Sequence, residues 1–237
     1  VPYAPAPPMI SVIIPTLDAE VGLARTLGAL VPAAVDGLVR EVIVVDGGSR
    51  DRTAEIADEA GVTFVTRGGG RGCQLAAGAT QARFPWLLFL HADTVLDPGW
   101  EREVTAFMEA IDTGRRSPAA AAFRFALDDD GLGPRLLERL VALRCTLLRL
   151  PYGDQGLLMP KGLYAEIGGY PASPLMEDVG LILRLGRRRI SLLRSRAVTS
   201  AARYRRDGYI RRSLRNLACL ALFFLRAPQS VIARVYG

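Results

Sequence analysis

Three short apolar runs, each ending in a polar cluster, constrain the fold of this chain more than any other feature. They are Ile10-Ser-Val-Ile-Ile-Pro-Thr16, Glu41-Val-Ile-Val-Val-Asp46-Gly-Gly-Ser49 and Trp86-Leu-Leu-Phe-Leu-His-Ala-Asp93. Their apolar parts are β-branched or aromatic and nearly continuous. An alternating pattern would signal a strand with one wet face; a continuous one signals a strand buried on both faces of a parallel sheet. Open parallel sheets bind ligands just beyond the carboxyl ends of their strands. Thr16, Asp46 and Asp93 lie at those ends, so one crevice is expected to receive a hydroxyl and two carboxylates.

Between these runs the pattern turns helical. Asp18 is expected to cap a helix carrying Leu23, Leu27, Leu30 and Val31 on one face. Helices are also expected near Thr53–Ala60, from the glycine turn Gly68–Gly72 to about Arg83, and from Pro98 towards Ile111, with a third strand at Val62–Thr66. This βαβαβαβ order argues a right-handed, doubly wound α/β half. The remainder is mixed: a strand at Ala119–Leu127, a helix at Leu136–Leu148, a short strand at Gln155–Met159, a short helix from about Glu177, and a final helix near Tyr209–Leu225. No repeat or linker divides the chain.

With 237 residues, half of them hydrophobic, the chain is expected to form one globular core. Cys73, Cys145 and Cys219 are odd in number and widely spaced, which disfavours a disulfide framework or a zinc site and suits a reducing, cytoplasmic compartment. Residues 1–9 read as a flexible, proline-rich leader without the basic start and apolar stretch of a signal peptide. The net charge of +6 is concentrated: Arg184 to Arg215 carries twelve arginines and one acid, Asp207. Such clustering favours an anionic partner, or simply a solvated basic face. Only Tyr204 and Tyr209 interleave with these arginines, so nucleic acid is not expected.

Six motifs, in order, resemble those of the family 2 glycosyltransferases: Ile13-Ile-Pro-Thr16, Val45-Asp-Gly-Gly-Ser-Arg-Asp-Arg-Thr53, Arg71-Gly-Cys-Gln74, Leu90-His-Ala-Asp93, Gly168-Gly-Tyr170 and Met176-Glu-Asp178. The resemblance implies a GT-A-type α/β fold, a mixed but mainly parallel doubly wound sheet with helices on both faces, in a single domain. It places a nucleotide-binding half at residues 10–97, an acceptor half at 98–206, and a C-terminal amphipathic or apolar helix at 207–237. It implies an inverting transfer of a sugar, hexosyl in type, from a UDP or GDP donor to an acceptor hydroxyl.

The resemblance assigns Pro15, Thr16, Glu20, Asp46, Arg71, Gln74 and Ala92 to the nucleotide sugar. A strand-end carboxylate accepts from a ring N–H or a ribose hydroxyl, although Asp46 equally shapes the turn before Ser49. Glu20, in a first helical turn, also has a purely dipolar explanation. Gly68–Gly72 does not make a dinucleotide fingerprint, because Cys73 or Leu75 falls where the last glycine is required. It can still offer backbone N–H groups and Arg71 to a phosphate.

His91-Ala-Asp93 occupies the place of the family's metal motif, which implies a divalent ion, Mn²⁺ or Mg²⁺, held by Asp93. His91, the only histidine, replaces the first acid. It is either a ligand or a hydrogen-bonding residue at a strand end. Asp178 is expected to be the general base on the acceptor hydroxyl, with Glu177 second; two adjacent acids also make an ordinary helix start. Tyr152-Gly-Asp-Gln155 shapes the acceptor side, or Asp154 caps a local turn.

Leu217–Leu225 is nine apolar residues, too short to span a bilayer. Ile210, Leu214, Leu217 and Ala221 mark one helical face beside Arg211, Arg212 and Arg215. That face is expected either to lie peripherally on an anionic membrane, the inner face of the cell membrane, next to a lipid-linked acceptor, or to pack on the core or on a second subunit of a homodimer. Three rivals to transfer remain: a sugar-nucleotide-binding protein that has lost catalysis, an RNA-binding protein, and a nucleotidyltransferase. The last lacks the lysine-bearing loop it would need after the first strand.

Overall fold

A computed structural model describes residues 9–171, 173 and 175–236. Most of the proline-rich leader lies outside them. In chain order the elements are β1 (Ile10–Thr16), α1 (Glu20–Val35), β2 (Val39–Asp46), α2 (Thr53–Glu59), β3 (Thr63–Thr66), α3 (Arg71–Gln81), β4 (Trp86–Phe89), β5 (Thr94–Leu96) and α4 (Trp100–Asp112). There follow β6 (Ala120–Leu127), α5 (Leu132–Leu148), β7 (Leu157–Pro160), α6 (Lys161–Glu166), α7 (Glu177–Leu185), β8 (Ile190–Thr199), α8 (Ala202–Asp207), α9 (Tyr209–Phe224) and α10 (Gln229–Tyr236). Single 3₁₀ turns sit at Gly153–Gln155 and Arg187–Arg189.

One eight-stranded sheet runs β3-β2-β1-β4-β7-β6-β8-β5. The β3-β2-β1-β4 half is parallel; β7 is antiparallel to both β4 and β6, β8 is parallel to β6, and β5 is antiparallel to β8. This is the mixed, mainly parallel α/β sheet that the sequence implies. The continuous apolar runs are explained by two packed faces. Ile10, Val12 and Ile14 of β1, with Trp86 and Leu88 of β4, pack against Leu23 and Leu27 of α1 and Trp100, Val104 and Met108 of α4. Ile13, Ile43 and Leu87 pack on the opposite face against Leu75 and Ala79 of α3 and Val179 and Ile182 of α7. Alternate residues of each strand thus enter different cores.

Two expectations need correction, and two strands were not foreseen. Asp18 does not cap α1: Ala19 holds the cap position, and Asp18 sits in the left-handed region (φ 48°) with Oδ1 accepting from the Arg50 N–H at 2.9 Å. The arginine-rich segment conceals β8, whose outward residues Arg194 and Arg196 alternate with the buried Leu193 and Ala197. A short β5 follows Asp93, in a stretch to which the sequence assigns no element. Lastly, α9 is not the final helix. The chain turns at Pro228, and α10 folds back on α9, with the Cys219 thiol facing the Ile232 carbonyl at 3.9 Å. Among the described residues no helix is long and apolar enough to cross a membrane.

The arginine cluster is not one patch. Arg184 donates to carbonyls of the 167–169 turn, Arg189 pairs with Glu166, and Arg196 pairs with Asp97 at 2.6 Å. Arg206, Arg212 and Arg215 converge on Asp207. Those bonds, first from Arg206 and then from Arg212, hold the Asp207 carboxyl down at about 2.

Candidate active site

The carboxyl ends of β1 and β2 are tied into one rigid corner. Asp46 Oδ1 accepts from the hydroxyls of Thr16 and Ser49, while Oδ2 accepts from the N–H groups of Gly48 and Ser49 at 2.8 Å each. A carboxylate has about four lone-pair sites, and all are filled here. Burial pushes the Asp46 carboxyl up, but the Ser49, Gly48 and Thr16 bonds outweigh it and hold it below its ordinary range. Gln74 on α3 ties the same corner, donating to the carbonyls of Thr16 (2.7 Å) and Val45 (2.8 Å). The turns after β1 and β2 are also cross-linked. The N–H groups of Asp18, Ala19 and Glu20 donate to Ser49, Thr53 and Asp51, while Asp18 and Glu20 accept from the N–H groups of Arg50 and Arg52.

Beyond this corner opens a crevice of about 780 Å³. Of the residues expected from sequence, Pro15, Thr16, Arg71, Gln74, His91, Ala92 and Asp93 line it together. Asp46 and Glu20 do not. Asp46 builds the turn, and the Glu20 carboxylate is committed to the Arg52 N–H. The β4 end is pressed closely onto α1: a Cβ on Gly22 would lie 2.8 Å from the Ala92 carbonyl oxygen and 2.9 Å from the Asp93 Cα, so only glycine lets Asp93 reach this position.

A smaller compartment of about 120 Å³ adjoins the crevice. Asp178, Tyr152, Gly153, Asp154, Tyr204, Arg212 and Asn216 line it, and it shares Arg71, His91, Asp93, Arg203 and Tyr236 with the crevice. Asp178 stands in the first turn of α7, which begins directly after Met176, a residue in the left-handed conformation at φ 58°. Strain of that kind at a non-glycine residue costs of order 1–3 kcal/mol and clusters at functional sites. Asp178 Oδ2 accepts from the Gly153 N–H at 2.9 Å. A Cβ on Gly153 would come within 2.8 Å of His91 Nε2, so the 3₁₀ turn fits against the histidine only with glycine there.

Glu177 and Asp178, adjacent in sequence, are placed very differently. Glu177 is 1% exposed, lines neither compartment, and accepts from Arg71 Nε, leaving Oε2 without a partner. Burial works against the Arg71 charge, but Glu177 and Asp178 outweigh it and raise its pKa. Arg71 Nη1 lies 3.1 Å from His91 Nε2. A guanidinium only donates, so Nε2 must accept, which makes His91 the neutral Nδ1–H tautomer. Burial, then the charges of Arg71 and Arg203, hold its pKa well below the ordinary histidine value. Nδ1 lies 4.0 Å from Asp93 Oδ1.

Two further carboxylates sit close by. Burial raises the Asp93 carboxyl despite Arg203. Asp154, which the sequence left between a turn and the acceptor side, has Oδ1 buried without a partner, and burial pushes its carboxyl up to about 6. Sequence reasoning missed Arg203, Asp128 and Tyr236, all of which line the crevice. Arg203 was hidden among neighbouring arginines, Asp128 carried no motif, and Tyr236 arrives only because α10 doubles back. Among the described residues no three His, Cys, Asp or Glu side chains are grouped to hold a metal.

The chain is similar to several known proteins. The chain is 34% identical over 197 residues to glycosyltransferases of PGL/p-HBAD biosynthesis from Mycobacterium bovis and Mycobacterium tuberculosis, covering 70% of this chain and 64% of theirs. It therefore spans less than two thirds of the length of these relatives. Among solved structures, TarS (residues 1–349) of S. aureus superposes with a TM-score of 0.63 at 16% identity, over 96% of this chain and 69% of that one. Glucosyl-3-phosphoglycerate synthase of Mycobacterium tuberculosis, solved with Mn²⁺, UDP and glucosyl-3-phosphoglycerate, gives 0.60 at 21% identity over 93% and 81%. At such identities the likeness is one of fold. Residues 11–143, which run from within β1 through β6 and hold the ends of β1, β2, β4 and β6 at the crevice, match the profile of Glycosyl transferase family 2, and the chain belongs to that family.

Proposed function

We propose that this chain transfers a sugar, hexosyl in type, from a UDP or GDP donor to an acceptor hydroxyl, with inversion at the anomeric carbon. The observation that carries the reading is the joining of two compartments at Arg71, His91, Asp93 and Arg203. One is large enough for a nucleotide sugar, and the other is small and holds Asp178. The fold neighbours solved with UDP support the donor class.

In this reading the nucleotide lies against Pro15, Thr16, Gln74 and Ala92, with Asp46 fixing the Thr16 hydroxyl from behind. Arg71 and Arg203 face the diphosphate, where charge-assisted bonds are strong. Glu177 acts on Arg71 and not on substrate. Mg²⁺ and Mn²⁺ bind proteins through one or two carboxylates and let substrate phosphates complete the shell. Asp93 fits that donor set: it is a hard oxygen ligand at the shared wall, with burial disfavouring its unpaired charge. His91 does not fit, because Nε2 is taken by Arg71. The ion, when bound, neutralises charge on the leaving diphosphate.

The acceptor oxygen attacks the anomeric carbon from the side opposite the diphosphate. The new C–O bond forms as the bond to the diphosphate oxygen breaks, and the acceptor proton passes to the Asp178 carboxylate. The Gly153 N–H keeps that carboxylate turned towards the compartment. The test combines a thermal-shift panel of UDP and GDP sugars, with and without Mn²⁺, with a turnover assay. Stabilisation by one nucleotide sugar and release of its diphosphate support the reading; no shift with any donor overturns it.

A second reading, a sugar-nucleotide-binding protein without catalysis, is favoured by the neutral His91 standing where an acid would serve the metal. It predicts the shift without turnover in any acceptor mixture. The protein is further proposed to work on the cytoplasmic side of a membrane, peripherally attached.

A further inference from the structure

Helix α5 carries a second apolar stripe that the sequence reading did not single out. Leu132, Leu136, Leu140, Leu143 and Leu147 are each more than half exposed. At 3.6 residues per turn they fall within an arc of ~80°. The opposite side of α5 is the buried one, through Pro134 and Cys145. Helix α9 repeats the arrangement: Ile210, Leu214, Leu217 and Phe224 are also more than half exposed and fall within an arc of ~80°, opposite the buried Arg212 and Cys219. The two helices touch, with Gly133 of α5 against the Tyr209 ring of α9. Isolated exposed leucines need no explanation, but a stripe of them on each of two touching helices marks a surface that something covers.

The charges around the stripes identify the occupant. Residues 208–236 contain five arginines and no acid. Arg139 of α5, Arg211 of α9, Arg226, and Arg234 of α10 have no acidic partner among the described residues. The acids near α5 are turned inward or neutralised: Glu138 accepts from the Leu127 N–H and Arg135, Asp129 from the Tyr209 hydroxyl, and Asp130 pairs with Arg135. A second copy is a poor occupant, because a two-fold interface sets each patch against itself and would oppose arginine to arginine. An anionic lipid surface accepts both the leucines and the arginines.

The inner face of α9 walls the smaller compartment, and α5 backs it through Tyr152. Arg212 and Asn216 of α9 and Tyr236 of α10 line it, and Arg144 of α5 stacks 3.6 Å over the ring of Tyr152, another lining residue. One helix diameter, about 10 Å, therefore separates that compartment from the leucine-bearing surface.

We propose that α5 and α9 together form a footprint that rests on an anionic bilayer, and that the acceptor hydroxyl is carried by a lipid headgroup in that surface. The acceptor clause rests on the transfer reading above; the footprint does not.

The test is flotation of the full chain with phosphatidylcholine vesicles and with vesicles containing phosphatidylglycerol. Wild type is expected to float only with the anionic vesicles, less so as salt rises. The variants Leu136→Ser/Leu140→Ser/Leu143→Ser on α5 and Leu214→Ser/Leu217→Ser on α9 are each expected to lower the bound fraction about tenfold. Each should keep the wild-type melting curve and UDP- or GDP-induced shift. Should a leucine variant fail to fold, Arg139→Glu/Arg211→Glu leaves the apolar stripes intact and is expected to abolish the preference for anionic vesicles.

An α5 variant that floats like wild type removes α5 from the footprint and overturns the proposal. So does a wild type that stays with neither vesicle, or one that sediments as a dimer dispersed by the leucine variants. Flotation without any nucleotide-sugar shift retains the footprint and rejects the transfer reading, so the two failures are distinguishable.

Discussion

Glu177 and Asp178 share a peptide bond and almost nothing else, and the difference predicts how each responds to substitution. Glu177 is buried against Arg71, so Glu177→Gln strands a guanidinium and loosens the hold on His91. Breaking a buried pair costs about 3–5 kcal/mol; with Arg71 partly exposed, about 2 kcal/mol is expected, read as a lowered denaturant midpoint. Asp178→Asn keeps an acceptor for the Gly153 N–H and is expected to leave stability unchanged while slowing transfer by about 10² or more. Equal effects of the two variants on stability would contradict this division. Asp46→Ala frees four donors at once and is expected to cost about 1–3 kcal/mol, with nucleotide affinity falling through the displaced Thr16 rather than through a lost direct contact.

At the scale of elements, the parallel half was legible because its signal is local. A continuous apolar run followed by a polar cluster needs no knowledge of partners, and β1, β2 and β4 follow from it. The helix at α3 was legible from its glycine turn. What escaped was set by distant contacts. Asp18 has the composition of a cap, but Ser49, Asp51 and Thr53 from the next turn take over that task. Strand β8 reads as basic surface until Glu103 is seen accepting the N–H groups of Arg194 and Ser195. Site legibility divides the same way. The motifs named most of the crevice; Asp46 spends its oxygens on the turn that was its alternative reading, and the Glu20 contact with the Arg52 N–H was not legible. The junction of α1 with the β4 end gives a further prediction. Gly22→Ala drives a methyl against the Ala92 carbonyl and is expected to destabilise the fold by about 1–3 kcal/mol, read by urea unfolding, and to weaken Mn²⁺-dependent nucleotide binding through Asp93.

For the whole molecule, Asp154 gives stability a definite pH dependence. Its folded pKa of about 6 exceeds the ordinary aspartate value of 3.8, so between these limits the folded chain holds a proton that the unfolded chain has released. Its contribution to stability therefore falls as pH rises from about 4 to about 6 and is flat above that. Asp154→Asn removes the penalty and is expected to raise the melting temperature at pH 7 but not at pH 4. An equal effect at both values would show that the buried oxygen is not the cause.

The wall common to both compartments has a consequence for the order in which substrates arrive. Arg71 and Arg203 face both spaces, so negative charge admitted to one lowers the positive potential felt in the other. In the proposed reaction the two ligands would thereby be thermodynamically linked, and linkage is reciprocal: whatever factor a bound nucleotide diphosphate imposes on acceptor affinity, the acceptor must impose on the nucleotide. An anionic acceptor is expected to bind less tightly after the diphosphate and a neutral one is not. Calorimetric titrations performed in both orders should return the same factor.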